Sequence, residues 1–107
     1  MAGKGAWQNP DVEPKLRLDK WLWQARFFKS RGLSAEMIES GHCRVNGNRI
    51  RKPGHGVGEG DVLTFVQAER VRVVRVTALG QRRGPASEAQ LLYIDLDMPA
   101  EGATPLE

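Results

Sequence analysis

Cysteine is almost absent: Cys43 is the one thiol in 107 residues, so no disulfide can close within the chain. Nor does an apolar leader follow the initiating methionine, and a reducing cytoplasm is the expected compartment. Apolar runs are only a few residues long, far short of the ~20 that a membrane-crossing helix needs. Metal-binding spacing is missing too. His42, Cys43 and the distant His55 offer neither a C-x-x-C pair nor two histidines one helical turn apart, so no metal or other cofactor is expected. The carboxylates are scattered, and no paired acids or Ser/His/Asp set can be assembled, so no catalytic residue is assigned and no enzyme is expected.

What the sequence does have is an uneven distribution of charge. The whole chain carries a net charge of +3 at neutral pH, but the segment 15–52 holds ten cations against three anions, a net +7, which leaves the remainder at −4. A small domain with positive potential gathered on one part attracts polyanions, and nucleic acid is the first partner to consider. The competing reading is a solvated, salt-bridged surface.

Leu18, Trp21, Leu22, Ala25 and Phe28 recur at helical spacing, which predicts a helix over residues 19–29 with Asp19 near its start, where a carboxylate accepts orphan backbone N–H groups. Its other face would show Lys20, Trp23, Arg26 and Phe27, either as a surface for RNA bases and phosphates or as packing against a later element. A second short helix follows: Ser30 as N-cap, Leu33, Met37 and Ile38 as the apolar stripe, and Gly41 as the left-handed residue that ends it. Lys29 and Arg31 stand at the junction, beside N–H groups that favour a phosphate.

Asn46 and Gly47 form the strongest short hairpin signal, because a type I′ turn needs positive φ at both central positions. That turn sets Val45 opposite Asn48, Arg44 opposite Arg49, Cys43 opposite Ile50 and His42 opposite Arg51. Alternation then puts Cys43, Val45 and Ile50 on one face and His42, Arg44, Arg49 and Arg51 on the other. Like charges facing each other cost roughly 0.2–1 kcal/mol per pair, which a bound phosphate backbone, or neutralisation by Glu36, Glu39 or the later acidic residues, would offset. Cys43 reads as a small core residue.

Beyond Pro53 the glycine-rich run G-H-G-V-G-E-G-D lacks the Walker pattern and reads as a connector. Strands are expected in V-L-T-F-V from Val62 and R-V-R-V-V-R-V-T-A-L from Arg70, followed by a break at Gly84 and Pro85 and a short helix with Ala86, Ala89, Leu92 and Tyr93 inward. The expected organisation is a flexible arm over residues 1–14, one domain over 15–80, a loop and short helix packed on it over 81–97, and an acidic flexible tail over 98–107.

R-L-D-K-W-L-W from Arg17, K-S-R from Lys29, A-E-M-I-E-S-G from Ala35, R-V-N-G from Arg44, K-P at Lys52 and G-D-V-L from Gly60 appear in order. Together they resemble the S4 RNA-binding domain, over about residues 15–66. The resemblance implies an α+β fold of the alpha-L type: two short helices packed on a small, mostly antiparallel sheet, with a short C-terminal helix added here. It implies that Arg17, Lys20, Arg26, Lys29, Ser30 and Arg31 line an RNA surface from the helix side. Arg44, Asn46, Arg49 and Lys52 line it from the hairpin side, joined by His42 and Arg51 of the same hairpin face. Leu18, Leu22, Ile38 and Val45 would support that surface from beneath, with Asp19 capping and orienting.

The W-L-W pair, the A-R-F-F-K-S-R junction and R-R-G-P-A-S-E-A-Q-L-L-Y from Arg82 are similar to the ribosome-associated heat-shock branch of that family. The implied partners are ribosomal RNA, transfer RNA and a large ribosomal subunit that still carries a stalled nascent chain, with no membrane and no small-molecule substrate. Longer members of the branch continue into a basic helical tail, whereas acidic residues follow Asp95 here, so no contact of that tail is carried over. Two other functions fit less of the pattern: an RNA-targeting accessory of an RNA-modifying enzyme, and a protein-interaction module using exposed Trp23 and Phe27.

Overall fold

The computed structural model describes residues 14–96. The expected arm, apart from Pro14, and the expected acidic tail lie outside the described residues. Helices α1 (Leu18–Gln24), α2 (Arg31–Glu39) and the four-residue α3 (Ala86–Ala89) combine with strands β1 (Leu16–Arg17), β2 (Cys43–Val45), β3 (Asn48–Arg49), β4 (Gly56–Val57), β5 (Val62–Gln67), β6 (Arg70–Val76) and β7 (Tyr93–Asp95). Every strand pair is antiparallel, in a five-stranded sheet ordered β3-β2-β5-β6-β7 and a two-stranded ribbon β1-β4. The α+β class and the two-helices-on-a-sheet arrangement expected from the sequence are what the chain adopts.

Alternation explains the core. Cys43 and Val45 of β2, Leu63 and Phe65 of β5, and Val74 and Val76 of β6 turn to one face and are buried there with Leu18, Trp21 and Leu22 of α1 and Ile38 of α2. Leu92 adds the C-terminal segment to the same core. Burial pushes the Cys43 thiol up to about 12, as suits a core residue. Ser34, also fully buried, shares its hydroxyl proton between the carbonyls of Asp19 and Arg31, each 2.9 Å away, and so ties the two helices together.

One expectation fails in an informative way. The helix predicted over residues 19–29 stops at Gln24. Arg26 takes a left-handed φ of 68°, its N–H reaching the Trp23 carbonyl at 3.0 Å while the Phe27 N–H reaches Leu22 at 3.1 Å. This is a Schellman ending with arginine at the position where glycine is usual, so the customary stop signal was absent from the sequence. The reversal swings Phe27 inward, where its ring packs against Tyr93 at 4.6 Å, Phe65 at 4.9 Å and Trp21 at 6.1 Å. Phe27 is therefore core, and the exposed Trp23–Phe27 pair needed for a protein-interaction module does not exist.

The glycine-rich connector is likewise not wholly irregular: Gly56 and Val57 pair with Arg17 and Leu16. Strand β7 is a further element that the sequence pattern did not reveal. Among the described residues no helix is long and apolar enough to cross a membrane.

Candidate RNA-binding surface

The hairpin forms with the expected register, Arg44 opposite Arg49 and Val45 opposite Asn48. Asn46 and Gly47 have φ of 52° and 87°, the positive values of a type I′ turn. Arg44 and Arg49 are exposed on the open face of the sheet, beside His42 and Thr64, where they line a shallow groove floored by Val66 and Val71. Helix α2 closes in a second Schellman motif: Gly41, at φ 86°, donates to Ile38 at 3.0 Å and His42 donates to Met37 at 3.3 Å. An added Cβ on Gly41 would meet the Arg51 guanidinium carbon at 3.3 Å, so this glycine both ends the helix and seats Arg51 over it.

A second group surrounds the start of α1. Leu18 and Asp19 donate their backbone N–H groups to the carbonyls of His55 (2.8 Å) and Pro53 (3.1 Å), which brings the segment after Lys52 against the helix. Asp19 is buried and accepts from Arg17 through both carboxylate oxygens, at 3.1 Å each, with Arg31 at 3.7 Å. Burial pushes the Asp19 carboxyl up, but the Arg17 hydrogen bonds, the charges of Arg17 and Arg31 and the Lys20 backbone N–H together outweigh it and hold the carboxyl below its usual range. Asp19 thus orients two arginines.

Because the folded state lowers this acid, its stabilisation is full above the unfolded value of about 4 and is lost as pH falls through the lower folded value. Asp19→Asn is therefore expected to melt at a lower temperature than the parent at pH 7, with the gap closing towards pH 2. Melting curves with a constant gap down to pH 2 would count against this role.

Ser30 serves as the α2 N-cap, accepting from the Leu33 N–H at 3.1 Å. The Asn46 side chain is spent within the fold, donating to Asp61 at 3.1 Å and accepting from the Val62 N–H at 2.9 Å. Lys29 is exposed at the helix junction and Lys20 is half-buried on α1. Arg26 stands apart from both groups, at the far end of α1, where its Nε donates to the Gly84 carbonyl at 2.7 Å. Among the described residues no carboxylate lies within 4 Å of Lys29, Arg44, Arg49, Arg51 or Lys52, so Glu36 and Glu39 do not neutralise the hairpin. Such a set of uncompensated donors can hold phosphates by hydrogen bonds and charge.

The sequence pattern passed over Arg83. It lies over the Trp23 ring at 5.7 Å and donates from Nε to the Trp23 carbonyl at 3.1 Å. Its only signal in the sequence is a pair of arginines before a Gly-Pro break.

The S4 domain family matches residues 16–63, which span β1 to the start of β5 and include both cationic groups. Heat shock protein 15 of Escherichia coli (strain K12) is 50% identical over 86 residues, 80% of this chain and 62% of that protein. The RQC P-site tRNA stabilizing factor of Halalkalibacterium halodurans is 40% identical over 78 residues, 73% of this chain and 86% of the factor. The solved trimeric structure of Vibrio cholerae heat shock protein 15 is 38% identical, with a TM-score of 0.73 over 78% of this chain and 84% of that one. The chain thus spans about 62% of the length of its Escherichia coli relative. On the fold, the order of its motifs and these likenesses, the chain belongs to the S4-domain family, in the branch that contains heat shock protein 15.

Proposed function

We propose that this chain is a non-catalytic RNA-binding protein of the cytoplasm that associates with the large ribosomal subunit while it carries a stalled nascent chain on transfer RNA. The observation that carries this reading is the charge of Arg44, Arg49, Arg51, Lys29 and Lys52 around the hairpin and helix junction, which no carboxylate among the described residues neutralises. Their guanidinium and ammonium groups suit phosphates and the shape of folded RNA rather than a base sequence. The relatives lend the ribosomal context: one is named for stabilizing P-site tRNA, and a small-subunit ribosomal protein uS4 of Xanthobacter autotrophicus is 32% identical over 83 residues.

Sedimentation tests the proposal directly. When a tagged form of the chain is followed through a sucrose gradient of cell lysate, it is expected in the large-subunit fractions and to leave them after ribonuclease treatment. Recovery only in ribosome-free fractions, or in a ribonuclease-insensitive complex with a modifying enzyme, would overturn it.

A further inference from the structure

The end of α1 and the loop at residues 81–84 are bolted together by two arginines that cross. Arg26, from the helix end, gives its Nε–H to the Gly84 carbonyl at 2.7 Å, and Arg83, from the loop, gives its Nε–H to the Trp23 carbonyl at 3.1 Å. Anchoring through Nε fixes the plane of each guanidinium and leaves the terminal nitrogens, the pair that binds a phosphate in fork geometry. The Trp23 ring beneath Arg83 steadies that group further. Neighbouring Arg82 is matched by Glu88 at 2.9 Å, whereas among the described residues no carboxylate lies within 4 Å of Arg26 or Arg83.

The backbone makes the same point independently. Arg26 occupies the left-handed position of a Schellman ending, φ 68°, where glycine is the favoured residue. If the position served only to stop the helix, a side chain there would be a liability.

We infer that Arg26 and Arg83 form a second RNA contact, a pair of phosphate-binding guanidinium groups that joins the S4 segment, through Arg26, to the loop beyond it, through Arg83, each taking one phosphate of the bound RNA. The inference rests on the RNA-binding reading above and extends the contact along α1, from Arg17 at its start to Arg26 at its end. It also gives the loop at residues 81–84 a role beyond connecting β6 to α3.

Binding of the full chain to isolated large ribosomal subunits, measured over a series of salt concentrations, separates this contact from the hairpin. R26G relieves the left-handed backbone, and its melting temperature is expected to equal or exceed that of the parent. R83Q leaves the Arg26–Gly84 bond in place. Each is expected to lower affinity about tenfold, as loss of one hydrogen-bonded charge does, and to make the slope of log K against log salt shallower by about 0.7–0.9. Parental affinity and slope in both variants, with loss of binding in R44E/R49E, would overturn the second contact and leave the hairpin reading standing. A fall in melting temperature without a change of slope would show Arg26 and Arg83 to be structural ties alone. If the parent chain itself fails to bind, or R44E/R49E binds as the parent does, the RNA-binding reading falls and takes this contact with it.

Discussion

Replacing Arg44 and Arg49 together with glutamate is expected to lower affinity for ribosomal RNA by about 100-fold or more. Each hydrogen bond to a charged group contributes about 1.5–3 kcal/mol, and 1.4 kcal/mol is a factor of ten, so losing two phosphate contacts suffices before any repulsion is counted. The fold is expected to survive. The two side chains face each other across the hairpin and are exposed, so the exchange swaps one like-charged pair for another.

The single change Arg44→Glu sharpens the test, because it places an opposite charge across from Arg49. Stability is expected to rise by about 0.2–1 kcal/mol while RNA binding weakens. That divergence marks a surface whose charge is kept for a ligand at some cost to the hairpin. Filter binding and thermal melting on the same samples measure both, and undiminished affinity in the soluble double variant would falsify the hairpin as the binding surface.

The second large effect concerns Trp21. Its ring is fully buried between the helix pair and the sheet, and its indole N–H donates to the Ala78 carbonyl at 2.9 Å. Trp21→Ala opens a cavity and strands that carbonyl, an expected loss of about 3–5 kcal/mol. For a domain whose total stability is about 5–15 kcal/mol, the melting temperature should fall by roughly 12 °C or more. Trp23, two residues on and only half-buried, should tolerate the same change with a much smaller shift. Equal melting temperatures for the two variants would show that the assignment of Trp21 to the core is mistaken.

The contrast between these tryptophans shows where sequence reading stops. W-L-W places Trp21 and Trp23 about 200° apart on a helix, so one must face in and the other out, and the apolar stripe chose correctly between them. The ending of that helix was not legible, because Arg26 rather than glycine adopts the left-handed turn. The error carried Phe27 to the wrong side. It also left unseen that the Nε of Arg26 is bonded to the Gly84 carbonyl.

Residue chemistry within a few positions was enough to determine the hairpin register, the Ser30 cap, the Gly41 ending and the gathering of Arg44 with Arg49, because each depends on local backbone geometry and strict alternation. Only the tertiary structure decided which charges would be neutralised, what Asn46 bonds to, that residues 56 and 57 pair with 16 and 17, and that Arg83 meets Trp23. Those outcomes join segments up to sixty residues apart in the sequence. They are set by how the core brings chain segments together, and no local pattern encodes that distance.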